Sequence, residues 1–395
     1  MDQIEELLTR GVANIIPGRK ELEAVLRSGK KINIYLGIDP TATRIHLGHA
    51  VPLRKLQAFA ELGHHVTFLI GDFTAMIGDT SDKDTERPIL SHEEIETNFQ
   101  TYKLQAEKIV DFSKVKVVYN STWLKKLGFE DILNLTEHFS VGDFVGRELI
   151  RRRLDANKRV SLRETLYPVM QGYDSYHMDT DIQIGGTDQT FNMQAGRTLQ
   201  KDLRQKESFV LATKFLIGTD GRKMSKSWGN AIWLEDKPND MYAKVMAITD
   251  DVILDYFILG TNTPMHDIRD IEKDLKSGKH PMEVKKRLAF DIVAELYSAE
   301  NAHEAQIHFE KTVQQKELPT EIPVITVTNE KLFQLTELLL KAGLASSKAE
   351  AKRLIEQGGV EVDNEKILNV NQEITVEDSV IIKVGKRKFV EIRRE

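Results

Sequence analysis

The sequence predicts an α/β protein: a parallel sheet covered by helices, then a helical domain, then a small α/β module. Three observations predict it. From Ile32 to Gly186, short β-rich apolar runs alternate with helix-patterned stretches, which argues for parallel strands joined by helical crossovers. Between Trp228 and Lys316 the strand signal fades and helical periodicity dominates, as in Met282 to Leu296. Over 331–395 a capped helix is followed by β-like segments.

In chain order, Ile32 to Leu36 reads as a strand that ends at Gly37. After His46-Leu-Gly-His49 comes a helix with Leu53, Leu56 and Ala60 on one face, stopped by Gly63. Val66 to Ile70 is a continuous apolar run, as expected for a strand buried on both faces. Ser91 with Glu94 is a capping box that opens the next helix. Val115 to Tyr119 and Ile182 to Ile184 are further strands, the second followed by Gly185 and Gly186. In such sheets ligands collect at the carboxyl ends of the strands. Residues 319–330, with Pro319, Pro323 and several β-branched residues, read as an extended linker. Beyond it Ser347 and Glu350 cap a helix that ends at Gly358 and Gly359, followed by Val360 to Val362 and Val380 to Val384. The expected division is a catalytic domain over 1–227, a helical domain over 228–318, the linker, and the module over 331–395.

A chain of 395 residues is two or three domains long, and 41% hydrophobic residues can build a sizeable core. The absence of cysteine removes disulfides, thiol nucleophiles and thiolate zinc sites, and fits a reducing compartment, here the cytoplasm. The opening MDQIEELLTRG has no apolar core of a secretory signal, and no apolar run approaches bilayer thickness. A net charge of -6 argues against a wholesale nucleic-acid coat, so RNA contact must come from a local basic face.

Two segments carry chemistry. Tyr35 to His49 reads as a strand, a turn and the first turn of a helix, whose N-terminal N–H groups accept phosphate readily. His46 and His49, three residues apart, can face one anion, and Gly48 permits close approach of a flat base or ribose. A bare H-x-x-H would ordinarily be two surface histidines, and no third ligand stands nearby to make a metal site. The second segment, Lys223-Met-Ser-Lys-Ser227, follows Asp220 and Gly221. Lysines flanking small hydroxyl residues on such a loop suit mobile clamping of a polyphosphate; alone, the segment would be a solvated basic loop. Neither a Walker motif nor a G-x-G-x-x-G fingerprint occurs.

HLGH and KMSKS, in this order, resemble the two hallmark motifs of class I aminoacyl-tRNA synthetases. The resemblance implies a Rossmann-type catalytic domain that makes an aminoacyl-adenylate and transfers the amino acid to tRNA, with His46, His49, Lys223 and Lys226 at the triphosphate. Tyr167, Gln171 and Asp174 share one helical face, which by spacing alone is either a solvent face or a pocket lining. From Tyr35 through the lysine loop the chain resembles tyrosyl-tRNA synthetases. By that match Tyr35 and Asp174 bond the phenolic hydroxyl of L-tyrosine, and Asp79, Tyr167 and Gln171 hold its ammonium group. Asp39 and Thr41 match residues near the α-phosphate and amino group. Gly186, Asp188 and Gln189 match the loop for ribose and carboxylate, Lys83 and Arg87 a basic loop over the pyrophosphate, and Thr74 and Asn120 are further pocket positions. Pro52 stands where some members carry a polar residue at the nucleotide, so no contact is assigned to it. Mg2+ is expected with ATP and not at a dedicated protein site.

Residues 333–393 resemble an S4-type RNA-binding module, with Lys348, Lys352 and Arg353 crowding one side of its helix and Lys386, Arg387 and Lys388 in a basic turn. Over 331–395 there are 12 Lys and Arg against 11 Asp and Glu, so clustering, not net charge, supports phosphate contact. The implied partners are L-tyrosine, ATP, tRNA(Tyr) and a second copy of the chain, with no membrane. Arg151, Arg152 and Arg153 could meet RNA, a partner subunit or only solvent. Three rival readings stand beside this one: a tryptophanyl enzyme, another adenylyl-transferring enzyme, and a catalytically silent RNA-binding regulator. Tyr35 with Asp174 and the C-terminal module oppose the first, the full KMSKS loop the second, and retention of both motifs the third.

Overall fold

The computed structural model describes residues 2–79, 91–314, 323–327, 331–385 and 388–394. The chain divides into two compact units, Met1–Ala302 and His303–Glu395, with the boundary inside the helix Ala299–Phe309.

The first unit is built on six strands: β1 (Val12–Ile16), β2 (Asn33–Ile38), β3 (His65–Ile70), β4 (Val115–Tyr119), β5 (Ile182–Gly186) and β6 (Phe209–Thr213). Their order across the sheet is β1-β6-β5-β2-β3-β4, parallel throughout except for β1, which runs antiparallel to β6. The chain moves outward from β2 to β4 on one side, then crosses back to β5 on the other. The direction of winding therefore reverses between β2 and β5, and a crevice opens at their carboxyl ends. The expected parallel sheet is present. β1 and β6 are additions to it, and β6 is the most buried strand of all, with every residue inside.

Local sequence explains the elements that flank this crevice. The helix Leu47–Glu61 starts directly after β2 and its turn, and buries Leu53, Leu56 and Phe59 completely against the sheet. It ends before Gly63, whose φ of +74° makes the left-handed turn that an L side chain resists. The helix Leu162–His177 opens on a capping box between Ser161 and Glu164. The Ser91–Glu94 box opens His92–Ala106 as expected.

The helices Pro238–Met246, Ile253–Gly260, Met265–Lys276 and Pro281–Leu296 follow the sheet. Up to Ala302 they belong to the same compact unit, where Tyr242, Tyr256 and Phe257 are fully buried. Of the three arginines in 151–153, Arg153 is part of the fold. Its guanidinium forks onto Glu164 at 2.6 and 2.9 Å, out of solvent, and donates to the Arg159 carbonyl at 2.8 Å. Arg152 reaches Glu148 at 2.7 Å, one turn back, and Arg151 is exposed.

The second unit holds a five-stranded sheet in the order β10-β9-β12-β13-β7: β7 is Val324–Val327, β9 Val360–Val362, β10 Glu365–Ile367, β12 Ser379–Val384 and β13 Lys388–Arg394. A two-stranded ribbon of β8 (Leu332–Gln334) and β11 (Glu373–Thr375) joins it. Helices Leu335–Lys341 and Lys348–Glu356 bury Leu335, Leu338, Leu339 and Ile355 against the sheet. The segment expected as linker is corrected in part. Val324 to Val327 pairs in parallel with Glu391 to Arg394, because its β-branched alternation fits a free sheet edge. No described helix is long and apolar enough to cross a membrane.

Candidate active site

The crevice between β2 and β5 is a cavity of about 570 Å³. Its wall contains Tyr35, Asp39, Thr41, His46, Gly48, His49, Thr74, Asp79, Tyr167, Gln171, Asp174, Gly186, Asp188, Gln189, Lys223 and Lys226. Sequence positions spread from Tyr35 to Lys226 thus meet in one place. Pro52 also lines it. Asn120 does not, but stands fully buried behind Asp174. Lys83 and Arg87 lie outside the described residues.

The two histidines sit at the start of the Leu47–Glu61 helix, with ring centroids 3.9 Å apart. The Gly48 N–H donates to His46 Nδ1 and the His46 N–H to His49 Nδ1, both at 3.2 Å. With its Nδ1 accepting, the neutral His46 ring carries its proton on Nε2 and can donate it to an anion in the cavity. His46 is held neutral, its pKa pushed down to about 2 by burial first and then by the charges of His49 and Lys223. A Cβ at Gly48 would meet the His46 ring at 2.9 Å, so glycine here is what lets the ring lie against the helix start. Leu47 N–H to the Ile232 carbonyl at 2.9 Å and Leu234 N–H to the Ile45 carbonyl at 3.0 Å fix this turn to the segment after the lysine loop.

Asn230 shapes the lysine loop. Its Oδ1 accepts from the Ser225 N–H at 2.8 Å, and its Nδ2 donates to Asp220 Oδ1 at 2.7 Å and to the Lys223 carbonyl at 3.2 Å. Met224 is buried and its N–H donates to the Leu216 carbonyl at 3.2 Å. The alternation KMSKS therefore turns the methionine inward and leaves both lysines at the cavity. Lys223 Nζ stands 3.3 Å from Asp188 Oδ2 and 3.8 Å from the Phe215 ring centre.

On the other side of the cavity runs a continuous polar chain. Tyr167 donates to Asp39 Oδ2 at 2.9 Å, and Thr74 to Asp39 Oδ1 at 2.7 Å. Asn120 Nδ2 donates to Thr74 Oγ1 and to Asp174 Oδ2, each at 3.0 Å, and Trp123 Nε1 to Asp174 Oδ1 at 2.7 Å. Asp174 is 1% exposed. Burial raises its carboxyl pKa to about 8 against the two N–H donors that favour the charge, and the charges of Asp39 and Asp72 add to the rise. Tyr35, from the middle of β2, donates to Gln183 Oε1 at 3.1 Å, and its phenol is pushed well above the usual tyrosine range by burial and then by Asp174. Asp79 accepts from Gln189 Nε2 at 2.7 Å and from Asn192 Nδ2 at 3.3 Å. Burial, then the charges of Asp39 and Asp79, drive the Tyr167 phenol up as well.

One end of the cavity thus offers two carboxylates suited to an ammonium group, and a separate buried carboxyl that can accept from a hydroxyl. The other end offers neutral N–H donors, a helix N-terminus and two lysines suited to a polyphosphate. Among the described residues no group of three His, Cys, Asp or Glu side chains is placed to hold a metal ion. Sequence reasoning missed Trp123, Gln183, Asn192 and Asn230. Asn230 lay three residues past KMSKS and could have been found; Trp123 acts on a carboxylate 51 positions away and left no local signal.

In the second unit Lys348, Lys352 and Arg353 share the exposed face of one helix, with Lys348 3.3 Å from Glu337. Lys388 opens β13 and is exposed, while Lys386 and Arg387 lie outside the described residues.

Comparison with known proteins follows the same division. The family described as tRNA synthetases class I (W and Y) matches residues 27–314, and the tyrosine–tRNA ligase SYY-like C-terminal domain matches 314–392. A curated tyrosine–tRNA ligase of Dehalococcoides mccartyi is 42% identical over 390 residues, covering 98% of each chain. That of Thermotoga maritima is 40% identical, covering 98% of this chain and 96% of its own. Among solved structures, the tyrosyl-tRNA synthetase of Archaeoglobus fulgidus complexed with L-tyrosine aligns with a TM-score of 0.61 at 24% identity, over 77% of this chain and 100% of that one. A truncated mitochondrial tyrosyl-tRNA synthetase of Aspergillus nidulans gives 0.65 at 22%, over 77% and 92%. At such identities these two show the shared fold.

Proposed function

The chain belongs to the class I tRNA synthetases, in their tyrosine–tRNA ligase branch, and from that premise we propose how its own residues perform the reaction. It activates L-tyrosine with ATP to tyrosyl-adenylate and pyrophosphate, then transfers tyrosine to the 3′ end of tRNA(Tyr). The observation that carries the residue-level reading is the cavity with a phosphate-type end and an ammonium-and-hydroxyl end.

In this reading the substrate ammonium sits among Asp39, Asp79, Tyr167 and Gln171, and the phenolic hydroxyl between Tyr35 and Asp174. The carboxylate is then aimed at the α-phosphorus of an ATP held by His46, His49, Lys223 and Lys226. A P–O bond forms from the carboxylate, and the bond to the bridging oxygen breaks with pyrophosphate as leaving group. The nucleophile is already ionised, so no side chain need take its proton. The protein supplies position and pre-placed positive charge. Mg2+ enters with ATP as part of that substrate. In the second step a terminal ribose hydroxyl attacks the carbonyl carbon and AMP leaves.

RNA contact is assigned to Lys348, Lys352, Arg353 and Lys388, the lysines suiting phosphate as point charges and the arginine through its forked N–H donors. Tyrosine should support ATP–pyrophosphate exchange, and tryptophan and phenylalanine should not. Removing 331–395 should spare exchange and depress tRNA charging. Exchange with tryptophan, or full charging by the shortened chain, would refute the corresponding assignment.

We also propose that the enzyme is a homodimer, through the exposed apolar side chains Phe129, Val141 and Leu162, each more than three-quarters exposed. Where such side chains form one contiguous patch, another protein surface usually covers it. Sedimentation at micromolar concentration should give a dimer, and Leu162→Glu a monomer; a monomeric parent would remove the proposal. With no cysteine in the chain and substrates of protein synthesis, the cytoplasm is the compartment proposed; recovery in any other cell fraction would contradict it.

A further inference from the structure

The adenylate chemistry leaves one aromatic side chain at the cavity mouth without a task. Trp228 ends the short 3₁₀ turn Lys226–Trp228 and is 50% exposed. Of the exposed large apolar side chains among the described residues, it is the one that lines this cavity. The Arg222 guanidinium lies over its ring, 4.5 Å from the centre, and is itself paired with Asp220. A cation on one face of an indole fixes the ring and leaves the opposite face for a second flat partner. Lys226 stands two residues before it on the same turn, and once pyrophosphate has left it can meet a backbone phosphate beside a stacked base.

We propose that Trp228 is a stacking platform for an unpaired base at the acceptor end of tRNA. The proposal rests on the reading of the chain as a tyrosine–tRNA ligase and adds a contact to it. The reasoning is geometric. The second step must bring a 3′ ribose into a cavity already filled by the adenylate, so the strand that carries it crosses the rim. Its bases are single-stranded there, and every base has a π-face. The adenine of ATP belongs further in, near Gly48, where the histidines and the helix start lie.

The test compares Trp228→Ala and Trp228→Phe in the full-length protein. Loss of one base–aromatic stack should raise the KM for tRNA about 5- to 20-fold in the alanine variant. Exchange constants for tyrosine and ATP should stay within about 2-fold, since a stack on RNA touches neither. Phenylalanine should restore most of the loss. The dependence of KM on salt should keep its slope, because no phosphate contact is removed. A tRNA whose nucleotide just before the terminal one lacks its base should be penalised by the parent and not by the alanine variant. A parallel rise in the KM for ATP, or unchanged charging, would overturn the platform. Absence of tyrosine-dependent exchange in the parent would instead overturn the functional reading, and the platform with it.

Discussion

Asp174→Ala is expected to lower kcat/KM for tyrosine in ATP–pyrophosphate exchange by about 10⁴-fold while the protein remains folded. On the proposed reading the buried carboxyl is where a phenolic hydroxyl would be told from a hydrogen. Asn120 and Trp123 each occupy one oxygen and leave acceptor capacity for one more donor. On that reading tyrosine would fill it, and phenylalanine would leave it unpaired inside the protein. Tyrosyl-tRNA synthetases are themselves the standard case of this asymmetry, with about 10⁵ against phenylalanine, a figure taken from that case and not obtained from this geometry. The measurement is exchange with both amino acids, alongside circular dichroism. Near-parental exchange with tyrosine would remove Asp174 from the pocket.

The same group gives a pH signature. In the folded chain its pKa is raised from 3.8 to about 8, so between those values the folded state holds a proton that the unfolded state has released. Its contribution to stability is therefore full below the lower value and is lost as pH rises through the upper one. Asp174→Asn cannot titrate. The parent should lose Tm relative to this variant between pH 4 and pH 8, and a constant difference would show that the carboxyl ionises normally.

Lys223→Ala is expected to slow adenylate formation about 10²- to 10³-fold with tyrosine affinity unchanged. Its ammonium faces Asp188 and the histidine side of the cavity, remote from the chain of bonds that runs from Tyr167 to Trp123. Charge on pyrophosphate grows as the P–O bond breaks, so a cation there acts more on the transition state than on bound ATP. Single-turnover kinetics separates the two: the rate should fall and tyrosine Kd should hold. Weak tyrosine binding with an intact rate would place Lys223 elsewhere.

Much of this was legible in the sequence, for physical reasons. β3 announces itself because a strand covered on both faces must be continuously apolar, and β4, at the sheet edge, by its β-branched valines. His46, His49 and the lysine loop are local words, each spelled within five residues. Tyr167, Gln171 and Asp174 could be placed on one face by helical period alone, but whether that face looked at water or a pocket needed the family resemblance. β6 escaped notice because four apolar residues and a threonine without turn signals favour no element. Trp123 and Gln183 escaped because their partners are set by tertiary packing, at separations that no periodicity reaches. The Val324–Val327 strand was hidden by the prolines that precede it, Pro319 and Pro323, and by a partner, β13, at the far end of the chain.

Asn230 is 2% exposed, and both ends of its amide are bonded to the loop that bears the lysines. That loop thus surrenders its conformational freedom when the chain folds and not when nucleotide arrives. Calorimetry of ATP binding should accordingly show only a small unfavourable entropy and a modest heat-capacity change, the signature of a ligand entering a surface already in order.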